Sequence, residues 1–345
     1  MPCRPAWRRW PSGQRVVIGA PGTVGAVAGA FALSCAAAGL LASGRMRRVA
    51  LDEPNQRSLH QRPVPRTGGL AIVAAILAGW LFLDAAVHAV VMTAFLALSA
   101  LSLLDDVRSL PVALRLIAHL AAAIATVTVL QPGLPLLLWL GAMLAIAWAI
   151  NLYNFMDGSD GLAGGMAAFG FFFYGWGAWM AGDVLFAATN WTVTAAAAGF
   201  LVFNFHPARI FMGDSGSVPL GFLAAAFGMQ GWAEHDWPLW FPLLVFSPFV
   251  IDATVTLARR TWQRQRVWEA HREHYYQRLV RIGWGHRRTA LAEYAVMAVC
   301  GAAALYALDA PADAQIVALG AVAMLYLFAM LAIDAAWRIK ATSLP

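Results

Sequence analysis

Long apolar runs broken by short polar stretches dominate this chain. Roughly 20 apolar residues are enough to cross a bilayer as a helix. The pattern predicts about eleven spans, at 16–43, 68–86, 88–104, 112–131, 133–150, 163–181, 184–203, 216–232, 237–258, 289–308 and 314–336. Some neighbours, such as the pair meeting near Ala85, are joined by very short turns. The expected fold is therefore all-α: a polytopic membrane helix bundle of about 11 transmembrane helices, forming a single integral-membrane domain over 1–345.

Composition excludes a soluble protein, with 61% hydrophobic residues, 12% charged and a mean hydropathy of +0.64. The basic residues then give the bundle a direction, because Lys and Arg collect in cytoplasmic loops. Six arginines from Arg45 to Arg66 follow the first span, Arg108 and Arg115 the third, and Arg209 the seventh. Nine more lie between Arg259 and Arg288, and Arg338 and Lys340 end the chain. In the eleven-span arrangement, 20 of the 24 Lys and Arg share one side. The opposite loops carry Asp84, Asp183, Glu234, Asp236, Asp309 and Asp313 and no Lys or Arg. The Arg-rich side is expected to be cytoplasmic. Arg4, Arg8, Arg9 and Arg15 break the rule, so residues 1–15 read either as a start-site artefact or as a basic extension outweighed by the six arginines beyond the span. Cys3, Cys35 and Cys300 make neither a metal spacing nor a disulfide framework. Ala-Leu-Ser-Cys35 has a faint likeness to a lipoprotein cleavage site inside what is otherwise an ordinary first span.

Every conspicuous polar motif falls on the Arg-rich side. In Asn151-Leu-Tyr-Asn-Phe-Met-Asp-Gly-Ser-Asp-Gly-Leu162, polar residues recur every third position as Asn151, Asn154, Asp157 and Asp160. That spacing lines up along one flank of a helix, and Gly158 and Gly161 predict that the helix loosens there. Ionised carboxylates near a bilayer are costly, so irregular backbone at this depth reads as the wall of a wet cavity. Asp105-Asp106 ends span three, and Asn204-Phe-His206-Pro-Ala-Arg209-Ile-Phe211-Met-Gly-Asp214-Ser-Gly-Ser217 joins spans seven and eight. His271-Arg272-Glu-His274-Tyr-Tyr-Gln-Arg278 lies in the last basic loop, 259–289. Four such clusters on one side are what a site built between helix ends would give.

Adjacent Asp105 and Asp106 repel unless a cation lies near them. With Asp157, Asp160 and Asp214 on the same face, a divalent ion is the simplest account. Asp and Asn oxygens select Mg²⁺, or Mn²⁺, over zinc, and His271 with His274 lacks a third soft ligand. His271, His274 and Arg278 are spaced as one face of a helix, expected over 264–281 with Trp268, Tyr275, Leu279 and Ile282 lying against the membrane or the protein body. That helix reads either as a solvated basic surface or as an anion clamp, since arginine presents a planar fork to phosphate. Small residues at Gly213–Ser217 would leave free amides at the start of span eight, with Ser215 or Ser217 as its N-cap. Asp252 is a buried acid that either functions directly or pairs with a neighbouring helix. No Gly-x-x-x-x-Gly-Lys loop is present. Metal, arginine and acids together point to phosphoryl transfer from a soluble nucleotide-linked donor to a lipid phosphate in the membrane.

At these residues the chain resembles the polyprenyl-phosphate N-acetylhexosamine-1-phosphate transferases, the glycosyltransferase 4 type. Matching pieces run in order from Pro54-Asn-Gln-Arg57-Ser-Leu-His60 and Pro65-Arg66-Thr-Gly-Gly69 to His274, and the Asn151–Leu162 and Met212–Ser217 strings are the most specific. The histidine run of the peptidoglycan enzyme is replaced here by His271-Arg-Glu-His274, which favours the O-antigen or common-antigen initiating branch. The resemblance implies that Asp214 and Asn154 contact the metal and that Asp105 and Asp106 serve the acceptor phosphate or the metal. It further implies that Asp157, Asp160, Asn204 and Phe211 line the nucleotide pocket, with Phe211 as a stacking surface for uracil, and that His271 and His274 lie near the diphosphate. The expected catalytic set is thus Asp105, Asp106, Asp157, Asp160, His271 and His274. Asn151, Asn204, Phe211, Arg272, Arg278, His60 and Arg66 are expected to bind substrate.

The reaction so implied is attack by undecaprenyl phosphate on the sugar-bearing phosphorus of a UDP-sugar, releasing UMP and starting a lipid-linked envelope polysaccharide. The acceptor is largely a dianion at neutral pH, so charge neutralisation and alignment matter more than a general base. A two-step route through an aspartyl-phosphate is the rival. The alternatives are the MurNAc-pentapeptide-phosphate transferase of peptidoglycan synthesis and, in another class, a membrane transporter of a polar or anionic substrate. Expected partners are the UDP-sugar, undecaprenyl phosphate and the bilayer of a bacterial inner membrane, with the site facing the cytoplasm. No nucleic acid is expected, and homodimer formation is left open.

Overall fold

A computed structural model describes residues 21–43, 51–52, 63–85, 87–266 and 271–342. It is an all-α polytopic membrane fold. The helices are α1 (Pro21–Ala42), α2 (Gly68–Leu83), α3 (Ala89–Arg108), α4 (Val112–Leu130), α5 (Leu136–Met156), α6 (Leu162–Ala181), α7 (Val184–Asn204), α8 (Asp214–Ala233), α9 (Trp240–Val245), α10 (Ser247–Trp262), α11 (Tyr275–Leu279), α12 (Gly285–Asp309) and α13 (Ala312–Thr342). Two short strands, β1 (Leu51–Asp52) and β2 (Val64–Pro65), pair antiparallel ahead of α2.

Each expected span has a helical counterpart, but among the described residues seven helical stretches are long and apolar enough to cross a membrane. The count of eleven is not reproduced by that measure: α2 is shorter, at 16 residues, and 237–258 is split into α9 and α10. The split falls at Phe246, where Pro248 enters the first turn of α10, and a proline there needs no amide partner.

Local chemistry fixes the ends. Proline precedes α4 and α5, where its fixed φ opens a helix. Gly182, at φ +96°, turns the chain between α6 and α7, and Asp183 caps the latter by accepting from the Phe186 amide at 2.8 Å. Helix α8 runs through the middle, packed against α2, α3, α5, α6 and α9, and is buried almost throughout.

The helix expected over 264–281 is not one helix. Helix α10 ends at Trp262, Arg264 takes a left-handed conformation, and among the described residues of that stretch only Tyr275–Leu279 is α-helical before a π-helical turn at Val280–Trp284. Long-range capture explains the difference: Asp252 of α10 accepts from the Tyr275 and Tyr276 amides at 2.9 and 3.1 Å. That carboxylate starts α11 afresh against the protein body, where Tyr275 and Leu279 are buried. Asp252 thus pairs with a neighbouring element, the second of its two readings. Residues 1–20, His60 and Trp268 lie outside the described residues.

Candidate active site

At the Arg-rich end, α3, α4, α5 and α8 bring their termini together. Asp106, in the last turn of α3, reaches across to the start of α8. Its carboxylate accepts from the Asp214 amide at 3.2 Å and the Ser215 amide at 2.9 Å. The amides expected to be free for a phosphate are therefore taken, and α8 is capped from α3. Neither Ser215 nor Ser217 is the N-cap: Gly213 holds that position, at φ +73°, and Ser217 donates back to the Gly213 carbonyl. A Cβ at Gly213 would lie 2.5 Å from the Arg66 carbonyl oxygen and 2.9 Å from Asp106 Oδ2, so no side chain fits. Arg66 completes this corner, its Nη2 donating to the Asp106 carbonyl at 2.7 Å and its Nε 3.8 Å from Asp106 Oδ1.

Asp105 also borders Asp214 and adds its negative charge there. It accepts from the Leu110 amide and, at 2.9 Å, from Arg115 Nη1, which also lies 3.7 Å from Asp214 Oδ2. In the sequence Arg115 is only a loop charge; in the fold it bridges two of the acids. The Asn154 amide of α5 lies beside the Asp214 carboxylate and favours its charged form. Burial first, then the Asp106 carboxylate, pushes the Asp214 carboxyl above the usual carboxylate range. A cation at Asp214 would relieve both effects.

The donor chemistry fits magnesium. Asp214 and Asn154 offer hard oxygens, and Mg²⁺ is commonly held by one or two carboxylates with water and substrate phosphates completing its shell. Among the described residues no three His, Cys, Asp or Glu side chains converge as a preformed cage, which agrees with Asp105 and Asp106 being committed to protein donors.

The α5–α6 turn loosens as its glycines predict. Helix α5 ends at Met156, Asp157 is its C-cap, and Gly161 turns the chain at φ +75°. Asp160 binds His206 Nδ1 at 2.6 Å and the Ala208 amide at 3.1 Å. His286, from α12, joins Ser159 at 2.8 Å and stacks on His206 with ring centroids 5.5 Å apart. Asn204 is buried with both ends of its amide in use, accepting from the Gly161 amide and donating to the Ile210 carbonyl. It pins this turn to the 205–213 loop. Phe211 sits half-buried in that loop, its own amide donating to the Pro65 carbonyl at 2.8 Å.

The last motif closes against the same turn. Tyr276 donates to the Phe155 carbonyl at 3.2 Å, and a Cβ at Gly158 would lie 2.2 Å from its hydroxyl. His274 is buried against Asp252 at 3.2 Å, with the His271 ring 4.9 Å away. Burial, then His274 and Arg260, push His271 down to about 4, so its imidazole is neutral at physiological pH. Arg278 is engaged by Asp334 at 2.6 Å and by the Glu273 carbonyl at 2.8 Å, while Arg272 lies half-buried beside them. The one-face arrangement expected of His271, His274 and Arg278 is absent because His274 caps α11 and His271 precedes it. Arg115, His119, His206 and His286 carry no site role in the sequence reading, although His206 lies inside the 204–217 motif. The available signal for the first two was a pair of polar residues one turn apart at the start of an apolar helix.

These features define an all-α polytopic membrane protein with an acid-and-arginine site built between helix ends. The chain belongs to glycosyl transferase family 4, whose family model matches residues 88–231. It is similar to a probable undecaprenyl-phosphate N-acetylglucosaminyl 1-phosphate transferase of Bacillus subtilis (strain 168), 30% identical over 269 residues covering 72% of this chain and 74% of that protein. A decaprenyl-phosphate N-acetylglucosaminephosphotransferase of Mycobacterium tuberculosis is 30% identical over 330 residues, covering 80% of each. A phospho-N-acetylmuramoyl-pentapeptide-transferase of Levilactobacillus brevis matches at 38% over 108 residues, covering 30% of this chain and 33% of that protein.

Proposed function

We propose that this chain transfers a sugar 1-phosphate, of GlcNAc or deoxy-amino type, from a UDP-sugar to undecaprenyl phosphate. UMP leaves, and a lipid-linked envelope polysaccharide is begun. The observation that carries this reading is the convergence of Asp106, Asp214, Asn154 and Arg115 from four helix ends. Relatives matched over most of the chain are named as polyprenyl-phosphate N-acetylglucosamine-phosphate transferases, whereas the pentapeptide enzyme matches about a third of it. That difference favours the GlcNAc-type donor. The crowding of basic residues at the site's end supports a cytoplasm-facing site in a bacterial inner membrane. The eleven-span arrangement, with α2, α6, α8 and the broken α9–α10 counted as crossings, goes with it.

Asp214 and Asn154 would hold Mg²⁺, which when bound supplies positive charge between two anionic phosphates. Arg115, held in place by Asp105, presents a second positive group to them. Phe211 offers its ring to the uracil, and Asp157, Asp160, Arg272 and the neutral His271 border the donor. Direct attack is favoured over an aspartyl-phosphate because the Asp105 and Asp106 oxygens already accept from protein donors. The test is UMP release by the purified chain supplied with UDP-GlcNAc, undecaprenyl phosphate and Mg²⁺. Release is expected to stop with a chelator and return with Mg²⁺, and no labelled UMP is expected to exchange into UDP-GlcNAc without lipid. Silence with every member of a UDP-amino-sugar panel would reject the reading.

A further inference from the structure

The outer flank of the bundle carries a second charged cluster, to which α3, α4, α5 and α8 contribute no member. Helix α13 runs along the outside, with Ile316, Val317, Phe328 and Leu331 exposed. It packs against α11 and the π-helical turn. Asp334 lies 22 residues after Ala312, where α13 starts, about 33 Å along at 1.5 Å per residue. The hydrocarbon core is about 30 Å thick. A helix entering the membrane near Ala312 therefore brings Asp334 out among the headgroups at the Arg-rich end.

Three arginines converge there. Arg278 Nη1 donates to Asp334 at 2.6 Å, and Arg259 of α10 donates to both oxygens of the same carboxylate at 3.1 and 3.3 Å. Arg259 and Arg278 share the Tyr275 ring, 5.1 and 5.4 Å from its centroid. Arg278 and Arg281 share the Trp337 ring, at 5.7 and 4.7 Å. The neighbouring Glu273 carboxylate is already taken by Arg260 at 2.6 Å, so the group keeps an excess of positive charge. Nε and Nη2 of Arg259 are buried with no hydrogen-bond partner, although buried donors are nearly always paired and an unmet one is costly. Arg281 is exposed, with Trp337 half-buried beside it. Guanidinium forks with spare donors suit a phosphate, and tryptophan suits the boundary between headgroups and acyl chains.

Which phosphate arrives follows from the place. An acceptor's phosphate has to reach Asp214, whereas this cluster opens on the flank where α13 meets acyl chains. We propose that Arg259, Arg278 and Arg281 form a binding site for the headgroup phosphate of an anionic phospholipid, drawn from the leaflet at the Arg-rich end and seated against Trp337. Basic groups at a membrane surface attract such lipids. The anion clamp expected around Arg278 then grips the membrane rather than the sugar donor. A phosphate there also offsets the repulsion among the arginines. That steadies α11, whose Tyr276 holds the Phe155 carbonyl beside Gly158 of the α5–α6 turn.

The test uses the full chain in a mild detergent, with native mass spectrometry following bound lipid as phosphatidylglycerol is titrated. A first phosphatidylglycerol is expected to bind more tightly than later ones, and neither phosphatidylcholine nor millimolar inorganic phosphate should displace it. Arg281→Gln is expected to weaken that first binding about fivefold, the pull of one basic residue on an anionic lipid. Arg281→Lys, which keeps the charge, recovers most of the loss. Arg288, exposed on α12 at the same end, supplies the control: Arg288→Gln should alter the affinity by less than about twofold. Equal weakening by the two Gln variants would mean diffuse surface charge and overturn the site, as would displacement by phosphatidylcholine. Displacement by equimolar undecaprenyl phosphate would give the cluster to the acceptor and overturn the phospholipid. A second readout is the melting temperature, which phosphatidylglycerol should raise in the wild-type chain and raise less in Arg281→Gln; identical rises would contradict the proposal. Neither readout needs turnover, so a chain that holds the lipid as described but releases no UMP would fault the reaction and uphold the site.

Discussion

Asp214→Asn is expected to abolish transfer and leave the chain folded. Asparagine fills the same space and keeps the backbone amide that Asp106 holds. The substitution removes a carboxylate whose charge is already disfavoured by burial and by Asp106, so stability should stay level or rise slightly. What disappears is the negative oxygen that would bind the metal. Electrostatic groups aimed at developing charge carry about 10²–10³-fold each in rate, and a carboxylate that would hold the metal belongs at or above the top of that range. UMP release should fall below detection while the melting temperature is retained. Wild-type turnover at ordinary Mg²⁺ would refute the metal assignment.

The second large effect comes from a backbone contact between α2 and α8. Gly68 and Gly69 donate to the Phe211 and Met212 carbonyls at 2.9 and 2.8 Å, laying the start of α2 directly on the start of α8. A Cβ on Gly69 would lie 2.2 Å from the Gly216 nitrogen and 2.6 Å from its Cα. Those are backbone atoms with no rotamer to retreat into, so α8 must move and carry Asp214 with it. Overpacking costs about 1–3 kcal/mol, and backbone on both sides of the contact argues for the upper end. Displacement by about 1 Å at a reacting centre costs about 10²-fold in rate. Gly69→Ala should therefore lower both the melting temperature and turnover. Gly29→Ala in α1, where a Cβ meets nothing within 4 Å, should change neither. Equal behaviour of the two variants would contradict the close α2–α8 approach.

Much of this was legible in the chain because hydropathy and turn chemistry are local. The apolar runs located the helices, and Gly158 and Gly161 marked the turn between α5 and α6. What the sequence hid was long-range. Three-and-four spacing of His271, His274 and Arg278 suggests a helix, but an acid from α10 captures the Tyr275 and Tyr276 amides and starts a new one. Ser215 and Ser217 sit where a cap belongs, yet the cap comes from Asp106, 108 residues before Asp214. Asn204 lies in a string read as nucleotide pocket, and its amide is spent on the Gly161 and Ile210 backbone. Arg115 looked like one more basic loop residue until α3 and α8 placed acids on both sides of it.

The central claim is that a phosphorus atom, with its sugar, moves between two anions at the Asp214 cluster. It is tested most directly by following a radiolabel on the β-phosphate of UDP-GlcNAc in the presence of undecaprenyl phosphate. The account predicts that the label enters the lipid in step with UMP and that neither appears with Asp214→Asn. Label released as UDP, with the sugar alone passing to the lipid, would contradict it.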